Sequence, residues 1–440
     1  MVRNFWRDRF AAAGMAIVLA AALASGAEAQ SVRFKKKAEA EAQQPAPGSE
    51  YSQGFRKLAS KVQPLVNDKK WTDVLAALPE LEALADKTAA DERAIATWRL
   101  QATQGAGDKE AFAAAIEEFL ARGYADAEQV GAMHQSLAAH YNGKKDREKA
   151  LLHYQQFVDH TPGVEPEELE TLGRLYRQSA RFADAATWFG KAIELSSTRG
   201  MKPAEELFQL RDHCLLELKD EDGRLANLEA AVALYPDRKY YSNIVALYQH
   251  ASQDNRALMM HVYRLAITDP RGGLATVGGH LNYADTALVA GSPGEAVRAL
   301  ERGIKDGIVP GVGTNQQALQ EAKVAVAADQ KSLPAEAASA ARNPKGDVSV
   351  KVALGYYSMG DYAKAAELVR QGIGKGGVAR LDDANLLLGA ALMELGRRDE
   401  AKAAFEAAAG AAADARMARV ARLWLARATR EDAPAPAAGG

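Results

Sequence analysis

The sequence predicts an all-α solenoid, a pile of antiparallel helical hairpins, and three observations predict it. Leu172, Gly173 and Tyr176 fall on one stripe of a first helix, Ala185, Phe189 and Ala192 on one stripe of a second, and Ser179 to Arg181 form the turn between them. The same set occurs 35 positions earlier as Leu137, Ala138, Tyr141, Ala150 and Tyr154. Finally, 440 residues with 48% hydrophobic content exceed what one compact core serves, a limit that stacked repeats avoid. Small Gly173 and Ala185 let two backbones approach to the short end of the ~8 to 10 Å interaxial range, and Tyr176 and Phe189 fill the adjoining grooves.

A recurrence near ~34 residues is the period of tetratricopeptide repeats. In residue types and spacing this stretch resembles that family, with Leu172, Gly173, Tyr176, Phe182, Ala185, Phe189 and Ala192 on its signature positions. The resemblance implies a right-handed superhelix of stacked hairpins whose first helices line a concave, partner-binding groove.

Residues 1–29 read as a secretory signal peptide: basic Arg3, Arg7 and Arg9, an apolar run from Ala11 to Ala24, and Ala27-Glu28-Ala29 before the expected cut. The apolar run is shorter than the ~20 residues of a membrane anchor. No cysteine follows the cut to anchor a lipoprotein, no adjacent arginine pair marks the twin-arginine route, and no later segment is apolar enough to span a bilayer. The expectation is a periplasmic chain with no stable membrane insertion after cleavage.

Residues 30–49, with Lys35, Lys36, Lys37, Pro45 and Pro47, read as a disordered linker. Residues 50–130 read as divergent hairpins that cap the first edge, with Trp71, Leu75, Leu78, Leu81, Ile95, Trp98, Ile116 and Phe119 as their stripes. Residues 131–310 form the repeat array. Its third copy is framed by Pro203 and Pro236, its fourth ends in the family-like Ala-Ile-Thr-Asp-Pro, and Ser292-Pro293-Gly294-Glu295 has the form of a capping box. Residues 311–345 lack aromatic knobs and read as an irregular hairpin or hinge, with a break near Leu333-Pro334 and an end at Asn343-Pro344. Residues 346–430 carry a clear pair of repeats, Ala353 to Val369 and Leu388 to Phe405, and a last helix whose arginines 416, 419, 422 and 427 lie mostly on the side expected to face solvent as a cap. Residues 431–440 read as a disordered tail.

The 55 basic and 57 acidic residues leave a net charge of −2, which disfavours nucleic acid as a partner. Cys214, the single cysteine, reads as a buried structural thiol beside Leu210 and Leu218. Gly372, Gly374 and Gly377 match a dinucleotide-loop spacing but close a helix instead of following a strand. The eight histidines show no ligand cluster, since His134 and His140 are not on one face and His153 and His160 have no third partner in view. No catalytic residue, metal or cofactor is expected.

The charged group Glu170, Arg174, Arg177 and Arg181 reads either as a solvated face or as a carboxylate-binding patch. In the repeat register the groove-lining positions are Gln135, Asn142, Arg174, Arg177, Asn243, His250 and Tyr357. Some family members clamp a terminal carboxylate with lysine and asparagine, but Gln135 and Ala139 stand at two such positions, so that specificity does not carry over. The expected function is a scaffold that binds a protein or peptide in the periplasm, its oligomeric state left open by the sequence. Residues 55–310 also look similar to periplasmic repeat proteins encoded with TonB-type energy-transduction systems. An accessory of envelope biogenesis (cell wall, outer-membrane assembly or polysaccharide export) is the alternative, and a helical-solenoid lytic enzyme a third.

Overall fold

The computed structural model describes residues 50–251 and 255–430. The segments read as signal peptide, linker and tail lie outside the described residues. Those described form 20 α-helices and no strand, in two compact units that divide between Pro203 and Ala204.

The first unit holds four hairpins: α1 (Gln53–Asn67) with α2 (Trp71–Glu82), α3 (Ala89–Ala106) with α4 (Lys109–Ala121), α5 (Ala127–Gly143) with α6 (Arg147–Asp159), and α7 (Pro166–Gln178) with α8 (Phe182–Thr198). Local chemistry sets the helix starts. Thr88 and Asp91 form a reciprocal capping box, as do Asp126 and Gln129, and Asp108 and Asp146 cap α4 and α6 by accepting from free backbone amides.

The turns share one device. Asp146 N donates to Tyr141 O at 3.0 Å, and Arg181 N to Tyr176 O at 2.9 Å, across a residue in the left-handed region, Lys145 (φ 63°) or Ala180 (φ 55°). This bond satisfies a carbonyl that the ending helix leaves free and points the next helix back along it. The second unit repeats the device, Asp361 N to Tyr356 O and Arg397 N to Leu392 O, with Gly360 and Gly396 at the left-handed position.

Packing then fixes the pairs. Leu172, Ala185, Phe189 and Ala192 are fully enclosed, and a Cβ on Gly173 would stand 2.8 Å from the Phe189 ring. The small residue is therefore what lets α7 meet α8. Cys214 is buried as expected.

The second unit runs α9 (Glu205–Glu217), α10 (Glu221–Leu234), α11 (Arg238–Ala251), α12 (Arg256–Thr268), α13 (Val277–Val289) and α14 (Pro293–Lys305) as an outgoing series. One long helix, α15 (Thr314–Arg342), follows, and then α16 (Gly346–Ser358), α17 (Tyr362–Lys375), α18 (Leu381–Glu394), α19 (Arg398–Ala411) and α20 (Ala415–Thr429). This later series folds back on the earlier one: α16 meets α14, α18 meets α12, and α20 meets both α12 and α10. Consequently α12 is enclosed on all sides, with Leu258 to Ile267 buried without a gap.

Three expectations change here. No break occurs at Leu333-Pro334: α15 is a continuous 29-residue helix with Pro334 inside it, anchored by buried Leu333, against which Gly355 of α16 packs closely. The arginines of α20 divide: Arg416 and Arg422 are exposed, whereas Arg419 and Arg427 turn inward instead of facing solvent. Arg419 pairs with Glu229 at 2.7 Å, Arg416 donates to the Ala251 carbonyl, and Arg427, 8% exposed, donates to Thr268. Ser292 and Glu295 do not cap α14 reciprocally; both are buried, and the Ser292 hydroxyl donates to Glu295 at 2.5 Å. The glycine run at 372–377 serves close packing, since a Cβ on Gly346 would lie 2.1 Å from the Gly372 carbonyl.

Candidate functional site

In the first unit the candidate positions sit on α5 and α7, the first helices of successive hairpins. Their apolar stripes turn inward, with Leu137 and Leu172 both at 0% exposure, which leaves the polar stripe outward. Gln135 is exposed, and Asn142, Arg174 and Arg177 are half-buried. Arg174 is held by Glu170 through bonds of 2.7 and 2.8 Å, the i, i+4 pairing of an ordinary helix face. Arg177 differs: its Nε is buried and has no hydrogen-bond partner among the described residues. Arg181 leaves the patch, stacking over the Tyr176 ring and pairing with Asp184 at 2.9 Å.

Behind this surface lies a cluster invisible to sequence spacing. His134 of α5 and His153 of α6 face each other with Nδ1···Nδ1 at 3.0 Å, and the His160 ring lies 6.0 Å from that of His134. Burial lowers the His134 imidazole to about 4, helped by the two neighbouring histidines, and burial lowers His153 as well. The Tyr141 ring lies parallel to His153 at 5.5 Å and its hydroxyl donates to Glu117. The pairing crosses a hairpin, so the interval of 19 residues carries no helical signature that spacing could reveal.

In the second unit Asn243 is half-buried and His250 is exposed, its Nδ1 2.9 Å from Glu221. Tyr357 does not line a groove. It is 1% exposed, with the Arg264 guanidinium 5.0 Å from its ring, because the face of α16 that the register leaves open is covered by α14. The covered seam is rich in charge. Arg264 and Glu295, 3% and 1% exposed, pair at 2.7 and 2.8 Å, and Tyr283 donates to the same carboxylate at 2.8 Å. Burial alone would raise the Glu295 carboxyl; the guanidinium beside it more than offsets this and holds it down at about 2. Burial likewise opposes ionised Asp269, but Arg430 and Tyr241, at 2.5 and 2.7 Å, keep it below the usual range. Fully buried His261 sits 2.7 Å from Asp383 of α18, and the Trp424 indole donates to the His261 carbonyl at 3.2 Å. Arg264 with Glu295, Arg430 with Asp269 and His261 with Asp383 are thus opposed across the seam, and its chemistry is that of a joint. The Ser-x-x-Glu pattern at residues 292–295 was the available sequence signal for it, and the capping reading absorbed that signal.

No curated protein matches the chain. Among solved structures it is similar to a tetratricopeptide repeat protein from Parabacteroides merdae, at 14% identity over 62% of this chain and 100% of that one, with a TM-score of 0.25. It is similar to the C-terminal part of a tetratricopeptide repeat-containing protein from Cytophaga hutchinsonii, at 10% identity over 74% and 98%, with a TM-score of 0.23. A third similar structure is the TPR2AB domain of yeast Sti1 in complex with pHSP90, at 10% identity over 68% and 98%, with a TM-score of 0.22. The tetratricopeptide repeat model matches residues 382–414, which fold as the hairpin of α18 and α19, with Gly389 pressed against the Phe405 ring. The chain is thus an all-α protein of stacked helical hairpins that carries a tetratricopeptide repeat.

Proposed function

We propose that this chain is an exported scaffold that holds a partner protein or peptide on its repeat surface. The observation that carries the reading is the split of α5 and α7 into two stripes. The apolar stripe is consumed by hairpin packing, and Gln135, Asn142, Arg174 and Arg177 are left along the first helices of successive hairpins. Stacked hairpins offer such a wall for extended peptides or helices, and the half-buried Arg177 on it is a guanidinium of the kind that pairs with a carboxylate. Export rests on the sequence of residues 1–29, and a periplasmic role beside TonB-type machinery on the similarity of residues 55–310 to such repeat proteins.

The test is crosslinked co-purification of the mature chain from the cell envelope, with wild type and the Arg174→Ala/Arg177→Ala variant run in parallel. TonB-type inner-membrane components captured by wild type and lost by the variant support the reading. Capture of cell-wall synthases or outer-membrane assembly factors moves the chain to envelope biogenesis. Turnover of peptidoglycan by the purified chain, abolished by one Glu→Gln change, overturns the scaffold altogether.

A further inference from the structure

The α5–α6 hairpin joins its two helices mid-length through a pair of imidazoles. The distance of 3.0 Å between His134 Nδ1 and His153 Nδ1 is a hydrogen bond, and their ring centroids are 5.3 Å apart. One ring must donate its Nδ1–H and the other must accept, so the bond exists only while at least one ring is neutral on that nitrogen. We propose that this pair is a proton-operated latch: with neutral rings it holds α5 against α6, and a second proton replaces the bond by two like charges in contact.

The surroundings set how the latch responds. From α4, Glu117 favours a proton on His153; from α6 itself, Lys149 opposes it. His160, at the end of α6, opposes a charge on His134, and Tyr141 of α5 stacks on His153 and hands its hydroxyl to Glu117. His140, largely covered, lies 3.6 Å from Glu110 of α4. One carboxylate and one ammonium thus act in opposite senses on the pair, which leaves burial and the histidines themselves to decide. Among the described residues no three His, Cys, Asp or Glu side chains converge on a metal position, so the proton is the ligand that this geometry serves.

The sign follows from the direction of the shift. His134 accepts a proton near 6.5 when unfolded and only near 4 when folded, so the unfolded hairpin binds protons first. Stability is complete above pH ~6.5 and is lost as the pH falls toward ~4. Gln135 and Asn142 stand on the same helix as His134, so opening the latch also disturbs the partner-binding wall. That second consequence rests on the proposed function; the response of the hairpin does not.

The test uses the full mature chain. Hydrogen exchange is followed in peptides from α5 and α6, corrected for intrinsic rates, at steps from pH 7.5 to 4.5. The expected result is an acceleration of at least ~10-fold below pH 6.5, the weight of one unit of pKa shift, confined to the hairpin and absent from His134→Gln/His153→Gln. Equal acceleration in the double variant, or none in wild type, overturns the latch. Should the double variant fail to fold, imidazole resonances of the wild type decide. Two coupled titrations, one well below the ordinary histidine range, support it; two independent titrations near 6.5 overturn it. Partner affinity measured over the same range is scored apart: an unchanged affinity beside an opening hairpin removes the wall on α5 and leaves the latch standing.

Discussion

Glu295→Gln keeps the shape of the side chain and removes its charge from opposite Arg264. The guanidinium, 3% exposed, then stays inside α12 with two bonds to a neutral amide, one of which now meets a donor. Breaking a buried pair from one side costs about 3–5 kcal/mol, and for a unit of this size each kcal/mol moves the melting temperature by roughly 2–4 °C. The expected loss is roughly 6–20 °C. Calorimetry of the full chain measures it, and hydrogen exchange in α12 and α14 assigns it to the second unit. Arg264→Met/Glu295→Leu should recover most of the loss, since an apolar filling replaces both charges at once. The pH limb follows from the same site. A carboxyl held at about 2 against an ordinary 4.5 contributes stability above pH ~4.5 that disappears as the pH falls toward ~2, and Glu295→Gln should flatten that limb. A cost under ~1 kcal/mol for the single change, or a double change no better than the single, would refute the claim that this pair governs the seam.

Gly173→Val should destabilise the first unit by about 1–3 kcal/mol, because a Cβ already stands 2.8 Å from Phe189; an unshifted urea midpoint would mean that α7 and α8 are not packed at this position. Arg174→Ala/Arg177→Ala should alter stability by less than ~1 kcal/mol, as expected for a partly exposed i, i+4 ion pair and an arginine whose Nε makes no hydrogen bond, while weakening the captured partner. Thermal melts together with the co-purification show whether the two effects separate, and a large loss of stability would return the patch to a structural role. Pro334→Ala should slow exchange in the last turns of α15, since an interior proline removes one helical hydrogen bond at a cost near ~3 kcal/mol; unchanged protection there would show that Leu333 packing already compensates.

The hairpins were legible because their cause is local. Leu172, Gly173, Tyr176, Ala185 and Phe189 each answer to a neighbour within about two turns or across one short loop, and such neighbours recur at fixed intervals in the chain. The same logic found the buried Cys214 and the end of α15 at Asn343. It failed where the partner is distant in sequence. Tyr357 has the register of a groove residue and the surroundings of a core residue, and only the return of α16 onto α14 makes the difference. Arg419 reads as solvated until Glu229, 190 positions away, is placed beside it.

From the sequence alone came the helical-hairpin class, the intervals of the repeat and the stripes that pack, because helix periodicity and small-to-large complementarity are written in consecutive residues. The tertiary structure decided which outward stripes remain surfaces. α15 runs straight through Pro334 and the second series folds back, so the polar face of α20 meets Glu229, Thr268 and Asp269, where removal from water demands a partner for every charge. That demand arises only once two distant segments exclude water from between them.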